Sequence, residues 1–188
     1  MHFGEIYNEV VTTCKRPDLA VQIRREINAA ISFCCLDNSF ARDYAEPVIV
    51  LDANEYTQAF PLSDMPRFRK FRYLKRGGTK KYLTKISDAE MLKGCTDKDK
   101  YYIVGTNVNV SLAALAATLD VGYFMYPPTL TQVAGNREFW LLEVAPWMII
   151  NKACAGIFKS IGFEKDYKTH MDMFTLEYVT ARKDFAFE

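Results

Sequence analysis

Histidine and cysteine supply many catalytic bases, nucleophiles and metal ligands, and this sequence offers few of them in useful arrangements. Its histidines are His2, at the N-terminus, and His170, which has no nucleophile or metal ligand at a matching spacing. The adjacent cysteines Cys34 and Cys35 have the wrong geometry for zinc, because zinc-binding cysteines are separated by intervening residues. We predict that His170 is a surface or hydrogen-bonded residue and that no metal is bound.

Phosphate-binding loops and catalytic carboxylate pairs are also poorly supported. Gly77-Gly78 is followed by Thr-Lys-Lys and matches neither glycine-rich fingerprint. Asp97 and Asp99 imitate a carboxylate pair, but the lysines beside them favour a solvated loop. The sequence therefore indicates no enzyme class, and we expect neither catalytic residues nor a cofactor.

Cysteine usage and targeting signals bear on the compartment. The five cysteines are an odd number without a C-x-x-C pair, which argues against a disulfide framework and favours the reducing cytoplasm. Cys14, Cys34 and Cys154 are expected to pack as small apolar residues. No signal-peptide pattern opens the sequence. Residues 101 to 136 carry one charge, Asp120, but polar residues and prolines interrupt them, so we expect buried strands and no membrane span.

Charge is distributed unevenly along the chain. The formal net charge is only +1, which by itself predicts no bulk attraction to nucleic acid or membrane. Residues 67 to 85, however, contain no acid and nine bases: Arg67, Arg69, Lys70, Arg72, Lys75, Arg76, Lys80, Lys81 and Lys85. The remaining chain has 15 bases and 23 acids, a net charge of −8.

Two interpretations of this basic block stay open. The bases form either a solvated outer face that protects a sheet edge, or a surface for phosphate or an acidic partner. The interleaved Phe68, Phe71 and Tyr73 either stack on bases of single strands or form the inner face of the sheet.

Two amphipathic helices are predicted in the N-terminal third. Apolar residues recur at three- and four-residue spacing from Phe3 to Cys14 and again from Ala20 to Cys34. Pro17 suits the first turn of the second helix, which we expect to end near Asp37. Each helix has one apolar stripe and needs a partner to bury it.

The middle of the chain changes to the pattern of short strands. Strands are predicted at 48–51, 56–62, 67–75, 80–86, 101–104, 107–111 and 119–126, with turn residues between them. Ser87 and Glu90 have capping-box spacing and predict one short helix through about Leu92. Short strands at such close spacing are typical of an antiparallel sheet or small sandwich.

Helices return in the last third. Glu138 to Val144 predicts one or two helical turns, Pro146 begins a longer helix that Gly162 ends, and a final helix runs from about Glu164 towards Arg182. The predicted fold class is α+β. Residues 1–39 and 137–188 form a helical bundle, and residues 40–136 form an inserted antiparallel β-domain.

Several strings resemble the head-to-tail adaptor (connector) proteins of short-tailed bacteriophages, and their order spans nearly the whole chain. The strings are Ile27-Asn28-Ala29-Ala30-Ile31, Tyr56 to Leu62, Arg67 to Tyr73, Tyr101 to Gly105, Val121 to Pro128 and Phe139 to Glu143. The vicinal cysteines and a short C-terminal arm depart from the family pattern.

The resemblance implies a structural virion protein of the neck or tail, made in the host cytoplasm. Family members form a ring, usually of twelve copies, beneath the portal protein, and the tail nozzle or tube docks below. Packaged DNA passes through the channel without sequence recognition. The nine bases then become candidates for the channel or a subunit interface, and Phe185 and Phe187 become candidate portal anchors. The alternative is a nucleic-acid-binding module that uses the basic strands 67–85.

Overall fold

The computed structural model of this α+β protein describes residues 1–37, 40–87, 90, 98–130 and 139–185. Contacts divide the chain into two compact units. The helical unit comprises Met1–Asp43 and Tyr126–Glu188, and the β unit comprises Tyr44–Met125. No described helix is long and apolar enough to cross a membrane.

The helical unit contains five α-helices among its described residues. They are α1 (Phe3–Cys14), α2 (Ala20–Asp37), α3 (Trp140–Val144), α4 (Pro146–Ser160) and α5 (Glu164–Phe185). Pro17 opens a 3₁₀ turn that leads into α2, and Pro146 occupies the first turn of α4. Gly162, at φ 79°, follows α4 in the left-handed conformation that glycine adopts freely. These boundaries confirm the predicted helices.

The core of the helical unit is built around α4. Buried residues lie on more than one side of this helix, among them the consecutive residues Met148, Ile149, Ile150 and Asn151. The stripes predicted on α1 and α2 are buried in the same cluster, which also includes Phe174 of α5. Cys14, Cys34, Cys35 and Cys154 are buried in the helical unit and form no disulfide, in keeping with their predicted packing in the core. Burial raises the pKa of the Cys34 thiol to about 12.

Eight strands form two four-stranded sheets in the described part of the β unit. In the first sheet, β8 (Thr118–Met125) is the central strand. It pairs along one edge with β1 (Tyr44–Ala45) and β2 (Val48–Val50), and along its other edge with β4 (Phe68–Arg76). In the second, the order is β3 (Thr57–Pro61), β7 (Asn107–Ser111), β6 (Lys100–Val104) and β5 (Thr84–Lys85). Leu74, Val121, Phe60 and Val110 contribute to one core drawn from both sheets.

Some strand predictions are confirmed and others need correction. The β6–β7 hairpin turns at Gly105, as predicted. Successive strands β2 and β3 belong to different sheets. The predicted strand at 80–86 was wrong, because this segment crosses between sheets: the Leu83 amide donates to Leu74, whereas the Ile86 amide donates to Tyr101. Only β5 remains a strand there, and it pairs with β6 in parallel.

The unit boundaries differ from the predicted boundaries at 39/40 and 136/137. Asp43 belongs to the helical unit, where it accepts a hydrogen bond from the Trp140 indole at 2.9 Å. Leu130 is buried in the helical core, and its backbone makes two hydrogen bonds with the Asn28 side chain. The Ser87–Glu90 capping hydrogen bonds are present, but most of the predicted short helix lies outside the described residues.

A chain of polar side chains joins α4 to α5. His170 Nδ1 lies 2.8 Å from Asn151 Oδ1, and Asn151 also hydrogen-bonds Glu177. The His170 ring stacks on Phe158 with the ring centres 5.3 Å apart. His170 is therefore a hydrogen-bonded residue, as predicted. Burial lowers its pKa, although the Asp166 carboxylate acts in the opposite direction.

The lowered pKa makes the helical unit sensitive to acid. Because the folded state binds the His170 proton less readily than the unfolded state does, this contribution to stability is complete above about pH 6.5 and is lost as the pH falls towards the folded pKa. Burial raises the pKa of Glu177, so that carboxyl contributes in the opposite direction.

As the pH falls from about 7 to 5, we expect the free energy of unfolding to decrease less for His170→Gln than for the wild type. The measurement is urea denaturation at each pH, with Glu177→Gln as the second variant to separate the carboxyl contribution. Equal pH profiles for wild type and His170→Gln would contradict the assignment.

Candidate functional site

The bases of strand β4 lie on both faces of the first sheet. Register shifts between Phe68 and Lys70 and between Phe71 and Tyr73 interrupt strict alternation. Phe68 and Phe71 pack against the core of the β unit, which supports their interpretation as inner-face residues. The five bases within β4 therefore do not form one continuous face of the strand.

Three bases of β4 lie beside aromatic rings. The Lys70 ammonium is 5.2 Å from the centre of the Phe124 ring, and the Arg72 guanidinium is 5.4 Å from the Tyr44 ring. Lys75 lies 5.7 Å from the Tyr73 ring and 3.3 Å from the Asp120 carboxylate, which raises the lysine pKa. Aromatic faces attract cations, so these side chains are held partly by their own unit.

Arg76 does not belong to an exposed basic surface. It is 7% exposed, and its Nε lies 3.4 Å from Oδ1 of Asp99. Arg76 directly opposes the buried Leu119 on β8, so its side chain is on the core face of the sheet. Its assignment as a channel or interface residue is corrected to that of a buried ion-pair residue of the β unit.

The remaining bases are more exposed. Lys80, Lys81 and Lys85 are exposed and have no carboxylate within ion-pair distance among the described residues. Arg67 is exposed at a positive φ of 56°, and Arg69 is half-buried. Lys70 and Arg72 are exposed as well, so the positive charge at the surface lies on these two residues, on Arg67 and on the segment after the Gly77-Gly78 turn.

A cavity of about 490 Å³ opens in the β unit beside these bases. Its lining is largely aromatic and charged: Tyr44, Glu46, Arg72, Tyr73, Leu74, Tyr82, Leu83 and Tyr101. The hydroxyls of Tyr44 and Tyr73 both donate to Glu46 Oε1, at 2.8 and 3.0 Å. Tyr82 is 62% exposed, and its ring meets that of Tyr73 nearly perpendicularly, at 79°.

The hydrogen bonds of the cavity fix its charge state. The Tyr44 and Tyr73 hydroxyls lower the pKa of Glu46, and Lys75 and Arg72 contribute further in the same direction. Burial followed by the bond to Glu46 raises the pKa of Tyr44. At neutral pH Glu46 is therefore a carboxylate and Tyr44 is a neutral hydrogen-bond donor to it.

Gly122 makes this arrangement of tyrosines possible. A Cβ atom on this residue would overlap the Tyr44 hydroxyl and lie 2.6 Å from Cε1 of Tyr73. Gly122 opposes Tyr73 in the β4–β8 register, so its missing side chain is the space that the two rings use. Glycine is thus required here because the Tyr44 and Tyr73 side chains approach the backbone closely, and the reason is not an unusual backbone angle.

Of the two candidate portal anchors, one is described. Phe185 is the last residue of α5 and is half-buried, with its ring centre 5.9 Å from that of Trp140. It is therefore tied to the helical core. Phe187 lies outside the described residues, and anchoring by either side chain stays a prediction.

Sequence reasoning missed the principal residues of the cavity. Tyr44, Glu46 and Tyr82 come from segments before and after β4, and no local motif links them. The only available signal was the density of tyrosines around the basic block. No group of three or more potential metal ligands occurs among the described residues.

The buried ion pair generates a stability prediction. We expect Asp99→Asn to destabilise the protein by about 2 kcal/mol, because Arg76 would remain buried without its counter-charge. The cost is lower than for a fully buried ion pair, because Asp99 is partly exposed to solvent. Asparagine tolerates the positive φ of 57° at this position, so the change tests charge. Chemical denaturation is the measurement. Asp120→Asn, in the more exposed Lys75 pair, should cost under about 1 kcal/mol; equal costs would contradict the distinction.

The glycine generates a second prediction. We expect Gly122→Ala to destabilise the β unit by about 1–3 kcal/mol, because the new methyl group displaces Tyr44 and Tyr73. Urea denaturation followed by tyrosine fluorescence measures the effect. Val50→Thr is the control, since Val50 is 82% exposed and the change should stay within about 0.5 kcal/mol. An unchanged midpoint for Gly122→Ala would show that the rings are not constrained.

Comparison with known proteins assigns no family to this arrangement. No family model matches the sequence, and no curated protein sequence matches it. The head-to-tail adaptor family therefore stays a prediction from the order and spacing of the sequence strings.

Proposed function

We propose that this protein is a structural subunit of a bacteriophage head-to-tail adaptor ring. The observation that carries the proposal is a second apolar stripe on α5. Tyr167, Met171 and Phe174 pack into the helical core, whereas Met173, Leu176 and Val179 are exposed. At about 100° per residue, these two sets lie on opposite sides of the helix.

The exposed stripe is more than scattered surface apolarity. Leu176 is 73% exposed, and the three residues are spaced so that they form one continuous strip. Beside it, a groove of about 300 Å³ is lined by residues that include Val144, Leu176 and Phe185. A ring subunit must bury apolar surface against its neighbours, and a head-to-tail contact joins two different surfaces of each copy.

The exposed bases have a place in the same proposal. Lys80, Lys81 and Lys85 are suited to an acidic surface of a neighbouring subunit or to the phosphates of DNA in the channel. Outside residues 67–85 the chain has a net charge of −8, so copies of this protein offer opposite charges to one another. The portal protein and the tail nozzle or tube are the remaining proposed partners.

Native mass spectrometry tests the role and the stripe together. We expect the wild type to form a ring of twelve copies on the portal protein of the same phage, and the double variant Met173→Glu with Leu176→Glu to stay monomeric. Burying two carboxylates in an apolar contact opposes association. Thr175→Glu, which adds a carboxylate at another exposed position of α5, is the control.

Different outcomes contradict different parts of the proposal. A wild-type protein that never assembles on the portal would overturn the adaptor role. Rings of the double variant equal to those of the wild type would leave the role but remove the α5 stripe as the interface. Loss of assembly in the Thr175→Glu control as well would show that charge anywhere on α5 prevents assembly, and the apolar stripe would no longer be the cause.

A further inference from the structure

The tyrosine-rich cavity of the β unit has a chemistry that ring assembly does not require. It combines exposed aromatic surface, a guanidinium and a carboxylate within one opening of about 490 Å³. We propose that this cavity binds a short segment of single-stranded nucleic acid, with Tyr82 as the stacking platform for one base. The inference is independent of the adaptor role.

Tyr82 has the exposure that base stacking needs. With 62% of the residue exposed and a nearly perpendicular neighbour in Tyr73, the ring keeps free surface for a planar group. A backbone bridge to Lys75 holds its position beside β4. Tyrosine platforms accept any base, because every base has an aromatic face.

The charges around Tyr82 are arranged to attract a phosphate backbone. Lys80 and Lys81 precede it directly and have no carboxylate within ion-pair distance among the described residues. Arg72 lines the cavity itself. Asp120 balances the charge of Lys75, and the charge of Arg72 acts on the Glu46 carboxylate, so Lys80 and Lys81 supply most of the attraction.

Glu46 gives the cavity a preference among bases. Both tyrosine hydroxyls donate to Oε1, and Oε2 makes no hydrogen bond to a described residue. A free carboxylate oxygen accepts from an exocyclic amino group such as that of cytosine. Thymine presents its single N–H between two carbonyl oxygens, and these oxygens are repelled by a carboxylate. The site therefore favours cytosine over thymine. It requires an unpaired base because the bases of a duplex stack on one another, which leaves no base face for the Tyr82 ring.

Fluorescence anisotropy with labelled oligonucleotides of about 12 nucleotides tests the proposal. We expect the full-length protein to bind oligo-dC more tightly than oligo-dT and more tightly than duplex DNA, with affinity that falls between about 50 and 200 mM salt. Tyr82→Ala should weaken oligo-dC binding about tenfold. Glu46→Gln should reduce the preference for dC over dT. Oligo-rC in parallel distinguishes DNA from RNA as the source of the strand.

Tyr56→Ala is the matched control for the platform. Tyr56 is also an exposed tyrosine of the β unit with a lysine, Lys98, 6.0 Å from its ring, but it does not line the cavity. Equal losses from Tyr56→Ala and Tyr82→Ala, or duplex binding as tight as single-strand binding, would overturn the proposal. So would the absence of any binding by the wild type. Ring assembly on the portal is expected to be unchanged in Tyr82→Ala, so the two proposals fail separately.

Discussion

Burial of α4 is the constraint on which the helical unit depends. This helix carries buried residues on several sides, including the consecutive residues Met148, Ile149 and Ile150, and α1, α2 and α5 all contact it. Neither N-terminal helix has a partner of comparable apolarity nearby in sequence. Both bury their apolar stripes against α4, which is more than a hundred residues away in the chain. The Trp140–Asp43 hydrogen bond and the Asn28–Leu130 pair hold the two ends of the chain together around that contact. The β unit is consequently an insertion.

Within the β unit, the bulges of β4 decide what its bases do. Strict alternation would place the bases of a nine-residue strand on one or two regular faces. The register shifts instead bring Lys70, Arg72 and Lys75 beside rings, while Arg76 is aligned with the core. Pairing with Asp99 and Asp120 then neutralises two of these charges locally. A count of bases in this stretch therefore overstates the positive charge available to a partner.

The helices could be predicted from the sequence because their signals are local. The stripe from Phe3 to Cys14, Pro17 and Gly162 each act within a few residues, and each is where the periodicity indicated. The segment at 80–86 could not be predicted, because its hydrogen bonds go to Leu74 in one sheet and Tyr101 in the other. Burial of Arg76 depends on Asp99, and the cavity on Gly122 and Glu46. Such long-range pairs leave no periodic pattern.

The insertion also fixes the order in which the units are completed during synthesis. The β unit is continuous, so all of its residues leave the ribosome before α4 exists. Until then, the apolar stripes of α1 and α2 have no partner. Strands β1 and β8 are antiparallel neighbours, with Tyr44 opposite Phe124, so the finished insertion holds its two ends side by side. That closure reduces the entropic cost of joining the first helices to the last, because it replaces a loop of some eighty residues by a short gap.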